Sequence, residues 1–86
     1  MAARARGFGK SVHSPEQEAF CELMVAARKK ARLTQQELAK QLGKPQSFVA
    51  KYEGGERRLD VVEFLAIARA LGADPIAIVR ALLRKS

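Results

Sequence analysis

Three polar side chains near the middle of the sequence have the chemistry to recognise the edges of base pairs. Gln46, Ser47 and Lys51 supply an amide, a hydroxyl and an ammonium group. A glutamine amide can both donate to and accept from adenine, serine suits almost any base edge, and lysine suits guanine or a phosphate. On a helix, Ser47 and Lys51 would share one face because they are four residues apart. Such groups are suited to contacts with DNA bases, and the alternative is an ordinary solvated helix face.

The residue types that most often carry out catalysis do not form a catalytic group in this sequence. Cys21 is the only cysteine and His13 the only histidine, which excludes an intrachain disulfide and leaves too few ligands for a zinc site. Glu16, Glu18 and Glu22 fit the acidic beginning of a helix. We therefore predict a passive thiol at Cys21, a solvated His13, no enzymatic activity, no metal, no cofactor and no small-molecule ligand.

Length and net charge indicate one domain and the kind of partner it has. The chain has 86 residues, with 16 Lys and Arg against nine Asp and Glu, and a formal net charge of +7. Such an excess favours a polyanion, although a merely basic soluble protein would also show it. Aromatic residues make up only 6% of the chain, which argues against a stacking surface for single strands. Because no apolar run approaches the length of a membrane span, we expect no membrane partner and a cytoplasmic location.

Helices must position these side chains, and the sequence marks where each helix begins and ends. A capping residue followed by Pro, or by Glu or Gln three positions later, marks a beginning, and glycine marks an end. The predicted beginnings are Ser14–Pro15, Thr34–Glu37, Lys44–Pro45, Asp60–Glu63 and Asp74–Pro75, and the glycines are Gly43, Gly54, Gly55 and Gly72. Since no segment alternates like a half-buried strand, the sequence predicts an all-α fold of five helices.

The first 14 residues differ in composition from the rest of the chain. They contain Arg4, Arg6 and Lys10, no acidic residue and no hydrophobic periodicity. Such a segment cannot bury enough apolar surface to offset the entropy lost on ordering it. We predict a flexible basic arm at residues 1–14 and a folded domain at residues 15–86. The arm is either a solvated tail or a minor-groove contact through its arginines.

The stretch from Leu33 to Glu53 follows the helix-turn-helix plan, with two short helices separated by a turn that contains Gly43. Ala39 would lie where the two helices cross, because a small residue allows a close approach. Leu38, Ala39 and Leu42 are predicted to face Val49 and Tyr52. Phe48 either packs against the loop after the second of these helices or touches a thymine methyl group, and packing is the favoured interpretation.

The motifs LTQQELAKQLG and QSFVAKYEGGERR resemble the phage-repressor and Cro (XRE-type) family of helix-turn-helix transcriptional regulators. The resemblance covers about residues 23–74. It implies a five-helix bundle whose third helix, about residues 45–53, lies in the major groove of double-stranded DNA. The base-reading positions of the family fall on Gln46, Ser47 and Lys51, in agreement with their chemistry.

The resemblance also implies roles for residues outside the third helix. It places a phosphate contact at Gln35, at the beginning of the second helix, where free backbone N–H groups also favour an anion. It pairs Arg28 with Glu53 as a structural ion pair. We further predict phosphate contacts from the basic or polar residues that should flank the groove, namely Thr34, Lys44, Arg57 and Arg58.

The last helix is richer in apolar residues than a single buried stripe requires. We predict that Ile76, Val79 and Leu83 face the core and that Ile78 and Leu82 lie partly outside. An exposed apolar pair of this kind suggests a homodimer formed through the last helix, and the alternative is that these residues complete a small core.

The leading functional hypothesis is a regulator that binds an operator. The alternative is the antitoxin of a toxin–antitoxin pair, which binds a toxin protein and regulates its own operator.

Overall fold

The computed structural model describes residues 14–85 and contains five α-helices and no strand in that range. The helices are α1 (Pro15–Lys30), α2 (Gln35–Leu42), α3 (Gln46–Glu53), α4 (Val61–Leu71) and α5 (Pro75–Lys85). The predicted all-α class and the number of helices are confirmed for this part of the chain. The predicted arm, apart from Ser14, and His13 lie outside the described residues.

Local capping interactions define the helix ends, as the sequence predicts. The Thr34 and Asp60 side chains each accept a hydrogen bond from the backbone N–H of the glutamate three residues later, Glu37 and Glu63. Each glutamate in turn accepts from the backbone N–H of its capping residue, which completes a capping box. At the other end of α2, Gly43 adopts φ +69°, a left-handed conformation that costs glycine nothing.

One helix begins a residue later than the sequence predicts. Pro45 was expected at the first helical position, but its ψ of 156° is extended, so it is the N-cap and α3 begins at Gln46. The proline ring has no side-chain acceptor, and no side-chain hydrogen bond caps this end of α3. The N-terminus of α3 therefore keeps free backbone N–H groups next to Gln46.

The core lies where α1, α2, α3 and α4 meet. Its most deeply buried side chains come from all four of these helices: Met24, Leu38, Val49, Tyr52 and Ile67. α2 packs on α3 and α4, α1 packs on α3 and α5, and α5 also packs on α4. Ala39 is 2% exposed between α2 and α3, as predicted for a helix crossing. α3 is thus supported from behind by two helices.

The predicted orientation of α5 is wrong. Ile78 is only 9% exposed and belongs to the core cluster, so it does not form the expected outer surface, whereas Leu82 is partly exposed as predicted. Ile76, Val79 and Leu83 are instead exposed, at 57%, 42% and 70%. Apolar residues occupy more than one stripe of this helix, so its periodicity does not determine which stripe faces the core. The packing of α5 against α1 and α4 decides that.

No helix in the range 14–85 is both long and apolar enough to cross a membrane.

Candidate nucleic-acid interface

The three predicted base-reading residues lie on the outer surface of α3. Gln46, Ser47 and Lys51 are all exposed, while Val49 and Tyr52 on the opposite side of the same helix are buried. An α-helix turns by about 100° per residue, so Ser47 and Lys51 occupy the middle of the exposed face and Gln46 lies at its edge. The structure therefore presents the amide, the hydroxyl and the ammonium on one rigidly supported helix.

A chain of hydrogen bonds fixes the edge of this face that lies next to α2. The Gln46 Nε2 atom donates to Oε1 of Gln35 (3.3 Å), and Gln35 Nε2 donates to Oε1 of Glu53 (2.9 Å). Gln35 is the first residue of α2, whereas Gln46 and Glu53 are the first and last residues of α3. The Gln46 amide is therefore oriented before any ligand arrives, which lowers the entropic cost of using it for recognition.

The implied ion pair between Arg28 and Glu53 is present and partly enclosed. Arg28 donates from Nε and Nη2 to the two carboxylate oxygens of Glu53, at 2.8 and 3.1 Å, and from Nη1 to the backbone oxygen of Leu33 at 2.8 Å. The side chains of Arg28 and Glu53 are 12% and 5% exposed. The hydrogen bonds that Arg28 donates to Glu53 raise the pKa of Arg28 above its usual value. The pair joins α1, the segment before α2, and the end of α3.

The predicted phosphate contacts fall into two groups. Thr34, Lys44 and Arg58 are exposed or half-buried around the N-termini of α2 and α3 and in the loop after α3. Arg57 differs, because its Nη1 and Nη2 atoms donate to the two carboxylate oxygens of Glu63 at 3.1 and 2.8 Å. Arg57 Nη1 also donates to the backbone oxygen of Arg58 at 2.9 Å. The Arg57 guanidinium is thus already bound within the protein.

Phe48 packs against the protein, in agreement with the favoured interpretation. It is half-buried against the core cluster, and its ring meets the Tyr52 ring edge-on with centroids 5.6 Å apart. Two cations lie at the ring: the Arg57 Cζ atom is 4.8 Å from its centroid and the Lys44 Nζ atom 5.6 Å. Phe48 therefore forms the border of the exposed α3 face on the side farther from Gln46.

Cys21 has a structural position consistent with the predicted passive thiol. Its Sγ atom donates to the backbone oxygen of Tyr52 (3.2 Å), near the end of α3. Burial raises the pKa of the Cys21 thiol, so the reactive thiolate is disfavoured. Within residues 14–85, no group of three or more His, Cys, Asp or Glu side chains is arranged to hold a metal ion.

Three links of this site were not predicted from the sequence, namely Gln35 with Glu53, Gln35 with Gln46, and Arg57 with Glu63. The bond between Gln35 and Gln46 spans 11 residues, and the contact of Arg57 with Glu63 crosses from the loop after α3 to α4. The capping motif Asp60–Glu63 identified Glu63 as a helix-start residue. It did not indicate that the same carboxylate would also bind an arginine, because no regular spacing connects a loop residue with a helix.

Comparisons with known proteins agree with this geometry. A family model described as helix-turn-helix matches residues 25–78. The solved structure of an XRE-family like protein from Pseudomonas syringae pv. tomato str. DC3000 is 48% identical, has a TM-score of 0.76, and aligns over 80% of this chain and 84% of that one. The restriction-modification controller protein C.AhdI from Aeromonas hydrophila is 29% identical, with a TM-score of 0.65, over 81% of this chain and 99% of its own.

No curated protein sequence matches the chain. The family model covers more than half of it, and the face that the family uses is formed by exposed polar residues on a supported helix. The chain therefore belongs to the helix-turn-helix family of XRE-type, DNA-binding transcriptional regulators.

Proposed function

We propose that the protein binds a specific sequence of double-stranded DNA by placing α3 in the major groove. The observation that carries this proposal is the exposure of Gln46, Ser47 and Lys51 on one face of α3 while the opposite face is buried. In helix-turn-helix proteins the N-terminal residues of the second helix contact the base edges. Gln46 would read adenine through its oriented amide, Ser47 would read a neighbouring edge, and Lys51 would bind guanine or a phosphate.

Phosphate contacts on either side of the groove would fix the position of α3. Thr34 and Gln35 lie at the N-terminus of α2, where backbone N–H groups and the helix dipole favour an anion. Lys44 precedes α3, and Arg58 lies in the loop that follows it. These contacts would supply affinity and orientation, while the α3 side chains supply the choice of sequence.

We also propose that the protein binds DNA as a homodimer through the outer face of α5. Ile76, Val79 and Leu83 recur at spacings of three and four residues and are exposed together. This stripe lies on the helix that packs behind α1 and α4, so its use would leave α3 accessible. A two-fold dimer places two recognition helices on half-sites one helical turn apart, which doubles the sequence that an eight-residue helix can read.

The biological consequence would be control of transcription by occupancy of an operator. One structural relative is named a restriction-modification controller protein. For this chain we propose the same general kind of function, which is control of a gene through DNA binding. The contacts described within residues 14–85 do not single out a surface for a toxin, so the antitoxin hypothesis gains no specific support from them.

Selection of bound sequences from a random pool of DNA duplexes tests the proposal. We expect one preferred sequence, repeated with inverted symmetry if the dimer is correct. Gln46→Ala should then change the preferred base at one position in each half-site and weaken binding by about 1–3 kcal/mol per lost contact. Gln41→Ala is the matched control, because it removes the same amide from an exposed position of α2 outside the proposed face.

A pool that yields no preferred sequence would refute sequence-specific binding. Equal weakening of selected and random duplexes by Gln46→Ala would refute the assignment of Gln46 to a base. Loss of selection in the Gln41→Ala control would show that the effect does not arise at the α3 face.

A further inference from the structure

A cluster of four side chains joins α3 to the beginning of α4. Phe48 belongs to α3, Lys44 to the turn before it, Arg57 to the loop after it, and Glu63 to the first turn of α4. Arg57 forms the centre of the cluster, because its guanidinium lies over the Phe48 ring and both of its terminal nitrogens bind Glu63. Below, the term Phe48 cluster refers to these four residues.

The Phe48 cluster borders the proposed base-reading face. At about 100° per residue, Phe48 follows Ser47 around α3 and lies between Lys51 and the buried Tyr52. The opposite border is Gln46, which Gln35 holds from α2. The exposed face of α3 is therefore held on one side by a hydrogen bond from α2 and on the other by an aromatic ring that Arg57 covers.

Glu63 gives Arg57 a fixed anchor. The same carboxylate that binds Arg57 accepts the backbone N–H of Asp60, and the Glu63 backbone N–H donates to Asp60 Oδ1 at 2.7 Å. The planar guanidinium matches the two carboxylate oxygens, and a flat cation stacks well on a ring face. The position of Arg57 is thus determined by α4, and Arg57 in turn limits the movement of Phe48.

We propose that Arg57 is a positioning residue for base recognition that holds α3 from the α4 side through Phe48, and not a phosphate contact. The inference rests on the proposed function, because it concerns the same α3 face. Both terminal nitrogens of the Arg57 guanidinium bind Glu63, and the group lies over the Phe48 ring, so its main interactions are within the protein although the side chain is 40% exposed. Arg58, the next residue, makes no such bidentate pair within the described residues and remains the phosphate candidate of this loop.

The two roles predict opposite results for one substitution. Glu63→Gln removes the anionic anchor but keeps a side-chain acceptor for the capping box, because glutamine serves in that position. If Arg57 positions α3, the loosened guanidinium should weaken recognition of the correct site. If Arg57 binds phosphate, the substitution releases a cation and removes a nearby negative charge, so binding to any duplex should become tighter.

The experiment measures the affinity of the full chain for its selected duplex and for a random duplex over a range of salt concentrations. The variants are Glu63→Gln, Arg57→Lys, Arg57→Ala and Phe48→Leu, with Arg69→Ala, an exposed arginine late in α4, as the control. Arg57→Lys keeps the charge and loses the planar fork, whereas Phe48→Leu keeps the apolar packing and loses the ring.

We expect Glu63→Gln, Arg57→Lys and Phe48→Leu each to weaken binding to the selected duplex by about tenfold, the scale of one impaired base contact. For Arg57→Lys and Phe48→Leu, binding to random DNA and the salt slope should stay as in the wild-type protein, and Glu63→Gln, which also removes a negative charge, should show a smaller ratio between the two affinities. The control should match the wild type on both duplexes. Thermal unfolding establishes a temperature at which every variant is folded, and binding is compared there.

Three results would overturn the inference. Tighter binding by Glu63→Gln to both duplexes with the ratio of the two affinities unchanged, or a salt slope reduced by about 0.9 in Arg57→Ala with Arg57→Lys unaffected, would make Arg57 a phosphate contact. Lower thermal stability with unchanged discrimination would make the Phe48 cluster structural only. If Arg57→Ala does not fold, the other three variants decide the matter. A wild-type chain that selects no sequence would instead refute the proposed function itself.

Discussion

At the scale of single residues, Glu53 connects three helices through its carboxylate. It accepts two hydrogen bonds from Arg28 and one from Gln35, and it ends the helix that carries the proposed base contacts. A buried carboxylate is stable only when its lone pairs are used and its charge is balanced. Here the same bonds that satisfy Glu53 also hold α1 and α2 against α3, so the packing of these helices and the orientation of the proposed recognition helix depend on one residue.

Glu53→Gln should destabilise the fold by roughly 2–4 kcal/mol, since it leaves the positive charge of Arg28 enclosed without its counter-charge. The free energy of unfolding in urea measures the effect. Glu56→Gln, an exposed carboxylate in the following loop, is the matched control and should differ little from the wild type. A loss below about 0.5 kcal/mol would mean that the pair contributes nothing to stability.

Tyr52 offers a contrasting case, a polar atom without a use in the described part of the chain. Its side chain is 2% exposed, and its hydroxyl has no hydrogen-bond partner among residues 14–85. Burial raises the pKa of Tyr52 above its usual value. Tyr52→Phe should therefore leave the unfolding free energy unchanged or increase it by about 1 kcal/mol, because it removes an unsatisfied group. A loss greater than that in urea unfolding would reveal a hydrogen bond that the hydroxyl makes.

At the scale of elements, a salt bridge between Arg57 and Glu63 connects the loop between α3 and α4 to α4. Arg57 donates to Glu63 from the loop, and Glu63 also accepts the backbone N–H of Asp60 at the beginning of α4. The hydrogen bonds from Arg57 have the larger effect and the one from Asp60 the smaller, and together they lower the pKa of Glu63 to about 2. The ionised form of Glu63 is therefore favoured in the folded state relative to an unfolded carboxyl group.

This shift predicts a dependence of stability on pH. Because the folded-state pKa is lowered, the contribution of Glu63 is fully present above its unfolded value, about 4.3, and is lost as the pH falls toward 2. Urea unfolding of the wild type and of Glu63→Gln between pH 2 and 6 checks this. The difference between the two proteins should shrink as the solution becomes more acidic, and a difference that is constant across the range would contradict the assignment.

The turn between α2 and α3 depends on Gly43. Its φ of +69° is the left-handed conformation that ends α2, and a Cβ atom placed there would meet nothing within 4 Å. Gly43→Ala should cost about 1–2 kcal/mol from backbone strain alone, since the space is open. The loss of unfolding free energy measured in urea should be close to this value. Gly43→Asn should lose less unfolding free energy because asparagine tolerates this conformation. Equal stability of Gly43→Ala and the wild type would contradict the strain argument.

At the scale of the whole molecule, the distribution of apolar surface suggests an assembly. The exposed large apolar residues within the described range all lie on α4 and α5: Val61, Val62, Leu65, Ile76, Val79 and Leu83. The proposed homodimer would cover the α5 stripe and leave both recognition helices accessible. The basic charge of the chain opposes association, so a dimer would be favoured on DNA, where phosphates neutralise that charge.

Val79→Lys combined with Leu83→Lys should abolish dimer formation and reduce affinity for a two-half-site duplex to that for a single half-site. Ala77→Lys places the same charge on another exposed position of α5, outside the stripe, and should behave as the wild type. Sedimentation with and without DNA measures the mass. A wild-type protein that remains monomeric at every concentration, including on the two-half-site duplex, would end the dimer proposal.

The sequence by itself determined the features that depend on neighbouring residues in the chain. Capping residues, prolines and glycines act within one turn of a helix, so the beginnings of the five helices and the glycine-marked ends of α2, α3 and α4 could be predicted to within about a residue. The helix-turn-helix spacing placed Gln46, Ser47 and Lys51 on one face. The resemblance of the motifs also led correctly to the pair of Arg28 with Glu53.

Tertiary packing decided what depends on distant neighbours. α5 offers apolar residues on two stripes, and contact with α1 and α4 selected Ile78 for the core over Val79. The partners of Gln35 and Arg57 lie on other elements, so no spacing along the chain could reveal them. The position of a helix end depends on residues within about one turn of it. The partner of a side chain's hydrogen bond depends instead on which donor or acceptor the fold brings within about 3 Å.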